Sequence, residues 1–113
     1  GDGSPRDLAT RPAGLRIEIV PLTDPGGVGK GEELPVQVLF EGRPLEGVYV
    51  YALAAGAETY ADGRQTDKDG HASVPLPAGG LMSLHCIHMR PHADPEEADW
   101  ESFFATVSFV AAE

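Results

Sequence analysis

LMSLHCIHM (residues 81–89) and SFFATVSFV (residues 102–110) are the stretches that decide the fold. In the second, Phe103, Ala105, Val107 and Phe109 alternate with Ser102, Thr106 and Ser108, the period of a strand with one buried and one wet face. If the two stretches pair antiparallel, the inward residues of each must face each other. Matching His88 with Phe103, Cys86 with Ala105, Leu84 with Val107 and Met82 with Phe109 achieves this for every partner. Cys86 then reads as a small, inert core residue.

Working outward, the same period recurs. Leu15, Ile17 and Ile19 share a face of one strand, and Leu34, Val36, Val38 and Phe40 share a face of another. Val48–Leu53 is apolar on both faces. Residues 58–66 have room for a short edge strand around Asp62-Gly63, a hairpin dipeptide. Asp67-Lys68-Asp69-Gly70 is a tight turn into a strand that buries Ala72, Val74 and Leu76. Pro77–Gly80 is either a hairpin turn or a corner between sheets. One helical turn is expected over Pro95–Trp100, with Asp94 as its cap. Residues 1–14 are polar, rich in Gly and Pro and without periodicity, so they read as a flexible lead-in or linker, and residues 15–113 as the domain. Short strands punctuated by turns predict an all-β, two-sheet Greek-key sandwich of about seven strands, immunoglobulin-like or prealbumin-like.

Composition narrows the function. A chain of 113 residues is the size of one domain, and its formal charge of −10 repels phosphate backbones and anionic lipid heads, against nucleic acid and against direct membrane insertion. No apolar run approaches a membrane span. Its opening on Gly1 reads as a processed or excised fragment. The single cysteine cannot form an internal disulfide.

Three of the four histidines, His85, His88 and His92, fall within eight residues and precede Asp94, Glu96, Glu97, Asp99 and Glu101. Imidazoles beside carboxylates are a ligand set for nickel, cobalt, zinc or copper. His85 and His88 have opposite parity on a strand, so His88 with His92 and Asp99 is the easier combination. The competing reading has His88 capping the core, with the other histidines and the acidic run solvated. Asp67 and Asp69 resemble half of a calcium loop, but no bidentate Glu or flanking helices follow. Gly26–Gly31 lacks the Lys-Ser/Thr ending of a phosphate loop. No nucleophile elbow or plausible Cys-His dyad is present, so no enzyme is expected.

IEIVPLTDP, GEELPVQVLFEGRPLEGVYVYA, TDKDGHASVPLPAGG and ADWESFFATVSF resemble a bacterial nickel-uptake-transporter-like family of unknown function, over nearly all of residues 15–110. The third segment is also similar to carboxypeptidase-regulatory-like and transthyretin-like sandwiches. The resemblance implies a secreted or periplasmic, non-enzymatic sandwich with a part in transition-metal handling, alongside membrane-transport or neighbouring-domain partners. It points to His88 and Asp99 as a histidine and an acid of that role. Family members usually carry an upstream segment and a further β-domain, which these residues do not include. The first expectation is therefore a divalent metal (nickel, cobalt or zinc) on His88, His92, Asp99 and His85. As neutral imidazoles are the ligands, binding would weaken below pH about 6. The second is an interaction module recognising a protein or glycan through Tyr49, Tyr51, Tyr60 and Trp100.

Overall fold

The computed structural model describes residues 16–91 and 100–113, and all secondary structure among them is strand apart from one 3-10 turn at Pro25–Gly27. The expected linker, and the expected helical turn up to residue 99, lie outside the described residues. Trp100 is instead the first residue of a strand.

In chain order the strands are β1 (Ile17–Pro21), β2 (Glu33–Phe40), β3 (Arg43–Pro44), β4 (Tyr49–Ala54), β5 (Arg64–Gln65), β6 (His71–Pro75), β7 (Gly80–Pro91) and β8 (Trp100–Ala111). In one antiparallel sheet β2 is central, pairing β1 on one side and β3 and β6 on the other. The second sheet has the order β5-β4-β7-β8. The two layers pack face to face as a β-sandwich. Val36, Val38, Val50, Val74 and Leu84 are fully buried between them, each contributing about 2 kcal/mol of transfer free energy.

The expected β7–β8 register is the observed one: His88 opposite Phe103, Cys86 opposite Ala105, Leu84 opposite Val107 and Met82 opposite Phe109. Burial differs on β8. Phe103, Ala105, Val107 and Phe109 face inward but are only half-buried, because β8 is the edge of its sheet. Pro77–Gly80 is a corner: β6 pairs β2 in one sheet while β7 pairs β4 in the other. The short edge strand is Arg64–Gln65 rather than a hairpin at Asp62-Gly63, and it pairs with Tyr49 and Val50.

Pro35 lies within β2, where a missing N–H ordinarily breaks a ladder. Its carbonyl accepts from Leu22 N–H at 2.9 Å, so its N and O turn toward β1 just past the last β1–β2 pair, Pro21 with Val36. The absent donor forfeits only the reciprocal bond to Leu22 at the end of the ladder, and none toward β6.

The turn before β6 locks the two ends of the first sheet together. Gly70 has φ +76, and its carbonyl accepts from Val38 N–H at 2.8 Å. A Cβ there would stand 2.6 Å from the Val38 carbonyl oxygen and 3.1 Å from Leu45 N. Gly70→Ala therefore combines left-handed strain with a backbone clash, and urea unfolding should show a loss of about 2 kcal/mol or more.

Candidate functional site

The histidines are placed by strand parity. His85 projects from the outer face of β7, where Nε2 lies 2.8 Å from Ser83 Oγ and Nδ1 lies 3.3 Å from Oγ1 of its register partner Thr106. His88 projects inward and is half-buried, edge-on to Phe40 at 4.9 Å and stacked at 6.3 Å with Phe103. His85 and His88 thus leave β7 from opposite faces, as their spacing dictates. His92 and Asp99 lie outside the described residues.

Around His88 the end of the sandwich is built from rings and guanidinium groups. Arg16 lies 4.8 Å from the Phe103 ring centre, and Arg90 lies 5.1 Å from both Phe40 and Phe103. Glu41 ties the two arginines together, 3.2 Å from Arg16 and 3.6 Å from Arg90, while Arg90 also bonds Glu101 at 2.9 Å. His88 is thus one more ring of this end cluster, packed against Phe40 and Phe103 beneath the two guanidinium groups.

On the other sheet, ligand atoms of Asp67, Asp69 and His71 lie within 4.8 Å of one another, and all three residues are exposed. Asp67 Oδ1 accepts the N–H groups of Asp69 at 2.9 Å and His71 at 3.0 Å. Those bonds, with the His71 amide foremost, hold the Asp67 carboxyl below its ordinary 3.8. This is the self-bonded aspartate turn expected from Asp67-Lys68-Asp69-Gly70. The i, i+2, i+4 spacing across a turn entering a strand was the signal that joins His71 to the aspartates.

A different constellation lines a concavity beside β7. β4 pairs with β7 only from Ala54–Met82 to Val50–Cys86, whereas β7 continues beside β8 to Pro91. Where β4 departs, a cavity of about 590 Å³ opens. Tyr49, Tyr51 and Tyr60 line it beside β4, His85, Ile87 and Met89 line it from the outer face of β7, and the gap reaches Val48, Cys86 and His88. The rings form a continuous row. Tyr49 stacks on Tyr51 at 6.0 Å, Tyr51 meets Tyr60 at 5.9 Å, and Tyr60 stands edge-on to His85 at 5.3 Å.

Local details hold this row in place. The buried Thr66 hydroxyl donates to Leu45 O at 2.7 Å and accepts Val48 N–H at 3.1 Å, pinning the chain that forms the near wall. Gly63 lets the Tyr51 ring lie against the backbone, since a Cβ there would be 2.6 Å from Tyr51 Cε1. Burial pushes the Cys86 thiol up to about 11, which makes it a poor nucleophile. The expected interaction residues Tyr49, Tyr51 and Tyr60 come together here. Trp100 is exposed at the start of β8, opposite Pro91, and does not line the cavity.

The family model for a domain of unknown function, DUF4198, matches residues 2–90 of the chain and ends within β7. Comparisons with the curated proteins and with the solved structures found no match.

Gly63→Ala is expected to displace the Tyr51 ring while leaving the core intact. Aromatic NMR shifts of Tyr51 and its neighbours should move, with a melting temperature close to that of the wild type.

Proposed function

Because the chain belongs to the DUF4198 family, a domain of unknown function, its role must be argued from its own surface, and we propose a non-enzymatic binding module that takes an extended protein segment in the aromatic cleft beside β7. One observation carries this reading: four contiguous rings, Tyr49, Tyr51, Tyr60 and His85, line a cavity of about 590 Å³ where β4 leaves β7. That volume falls in the usual range of ligand sites, and rigid aromatics supply contact area at small entropic cost.

A protein segment is favoured over a glycan by the chemistry of the walls. A sugar presents a hydroxyl at nearly every carbon and needs polar partners. Both ring nitrogens of His85 are already within hydrogen-bond reach of Ser83 and Thr106, and the same face of β7 continues with Ile87 and Met89. An unbranched Met beside tyrosines adapts to apolar side chains of varied shape. β7 residues beyond Cys86 have no pairing to β4, which offers backbone groups to an extended segment. The high thiol pKa of Cys86 supports binding over nucleophilic chemistry at this cleft.

The second reading is the transition-metal role that the family resemblance implies, in the periplasm and for nickel or cobalt. Its support is the grouping of Asp67, Asp69 and His71 ligand atoms within 4.8 Å. An imidazole with two carboxylates is a chemically suitable donor set for such ions.

Panning a phage-displayed peptide library against the immobilised chain should enrich sequences rich in apolar and aromatic residues. Tyr51→Ala and Tyr60→Ala should each weaken the selected peptides about tenfold or more. Signal on a glycan array without peptide enrichment would replace the protein segment with a sugar. Nickel titrated calorimetrically should give heat that falls in Asp67→Asn, His71→Ala or His88→Ala if the second reading holds. Heats equal to those of the wild type in all three would remove these residues from metal handling.

A further inference from the structure

The free side of β8 differs from every other sheet edge among the described residues. β1 is five residues long and ends at Pro21, and β6 carries His71 and Pro75. β3 and β5 are two residues each and contain Arg43 and Arg64. Shortness, proline and charge are the usual means of keeping an edge from pairing with another chain. β8 has none of them over most of its twelve residues. Its only charged residue is Glu101, which faces inward and bonds Arg90 at 2.9 Å.

The orientation of the free backbone groups follows from one contact. Ala112 N–H donates to Val28 O at 2.9 Å on the side away from β7. Residues of the same parity, Trp100, Ser102, Phe104, Thr106 and Ser108, therefore turn N–H and C=O to that same open side. Among the described residues, the segment from Pro25 to Gly29 lies against the C-terminal end of this edge, through the bridge from Gly29 to Ala112 and the approach of Gly26 to Val110 O, and β1 packs near β8 from the other sheet. The uncovered stretch runs from Trp100 to Ser108, about 30 Å of strand.

We propose that this edge pairs with β8 of a second copy of the chain, antiparallel and two-fold symmetric about Phe104. That register uses the whole uncovered stretch. It sets Phe104 against the partner's Phe104, Ser102 against the partner's Thr106, and Trp100 against the partner's Ser108. On the inward face Glu101 meets the partner's Val107, so no like charges oppose each other across the seam. The five outward-turned residues of each copy form about ten backbone hydrogen bonds, the number typical of a protein interface. A second copy is the favoured occupant because the seam is neutral while each chain carries −10, so two chains repel least along this line. Phe104, 69% exposed, then has an aromatic partner. The cleft beside β4 lies on the other side of β7 and stays open, so this inference is independent of the ligand reading.

Sedimentation equilibrium of the 113-residue chain should give twice 11.9 kDa at micromolar concentration, with tighter association as salt screens the repulsion between the chains. Phe104→Lys places like charges opposite one another on the symmetry axis and should yield a monomer with an unchanged circular dichroism spectrum. Leu81→Lys, on the outer face but away from the edge, should leave the dimer intact. In the wild type, the amides of Ser102, Phe104, Thr106 and Ser108 should be protected from hydrogen exchange when concentrated and lose protection on dilution. A wild type that stays monomeric, or a folded Phe104→Lys that stays dimeric, would overturn the proposal. Dissociation by Leu81→Lys would also overturn it, by assigning the contact to the sheet face, and concentration-independent exchange at those four amides would do so without any variant.

Discussion

The register between β7 and β8 is the constraint on which the rest of this molecule depends. Twelve residue pairs run from Gly80–Ala111 to Pro91–Trp100 without a slip. Because side chains alternate with a period of two, a shift of one residue would turn Met82, Leu84 and Cys86 to solvent and drive His85 and Ile87 into the core. The hydrophobic penalty for that exchange falls on several side chains at once, so the register is held collectively. β7 is also the strand that β4 joins, and through it the register sets which ring faces the cleft and which packs at the end of the sandwich.

Two kinds of polar economy surround that constraint. Thr66, buried at 4% exposure, satisfies both a carbonyl and an amide of the crossing chain, so the turn between the sheets carries no unpaired group at that point. Arg16 and Arg90 keep their charges near solvent while their guanidinium planes cover Phe40 and Phe103, closing an end of the core that aliphatic residues leave open. The cleft arises between these features. β4 is held toward β5 by the Thr66 clasp and by its pairs with Arg64 and Gln65, so it cannot follow β7 to its end. A concavity is the geometric result of one strand outrunning its neighbour.

The surface divides its charge unevenly. Among the described residues the acidic side chains lie largely in turns and loops, whereas the outer face of β7 and β8 carries Leu81, Ile87, Met89, Phe104 and Val110, all more than half exposed. The register pairs Ser83–Ser108 and His85–Thr106 divide it into a Leu81–Val110 patch and a larger one around Ile87, Met89 and Phe104, and the latter marks surface suited to contact. The cleft and the β8 edge sit on either side of that face. The DUF4198 match spans the cleft-forming strands through β4 and most of β7 and stops before β8.

Alternation alone determined the strand-rich architecture, the inward set of β2 and β6, the pairing of β7 with β8, and the opposite faces of His85 and His88. These are local properties: a strand's two faces are fixed by the chain's own geometry, and a mismatch in register is penalised residue by residue. Tertiary structure decided what alternation cannot encode. Pro77–Gly80 became a corner because β2 and β4 compete for β6 and β7, a choice made by packing between sheets. Inward residues of β8 remained half-exposed because no strand flanks its outer side, which depends on sheet order. Asp67, Asp69 and His71 converged because the turn's own amides fold the aspartate back, and Tyr60 reached Tyr51 and His85 only once residues 58–63 were laid across β4 and β7. Periodicity records which way a side chain points, but contacts between segments depend on where the segments stop, and that is settled only when they compete for the same core.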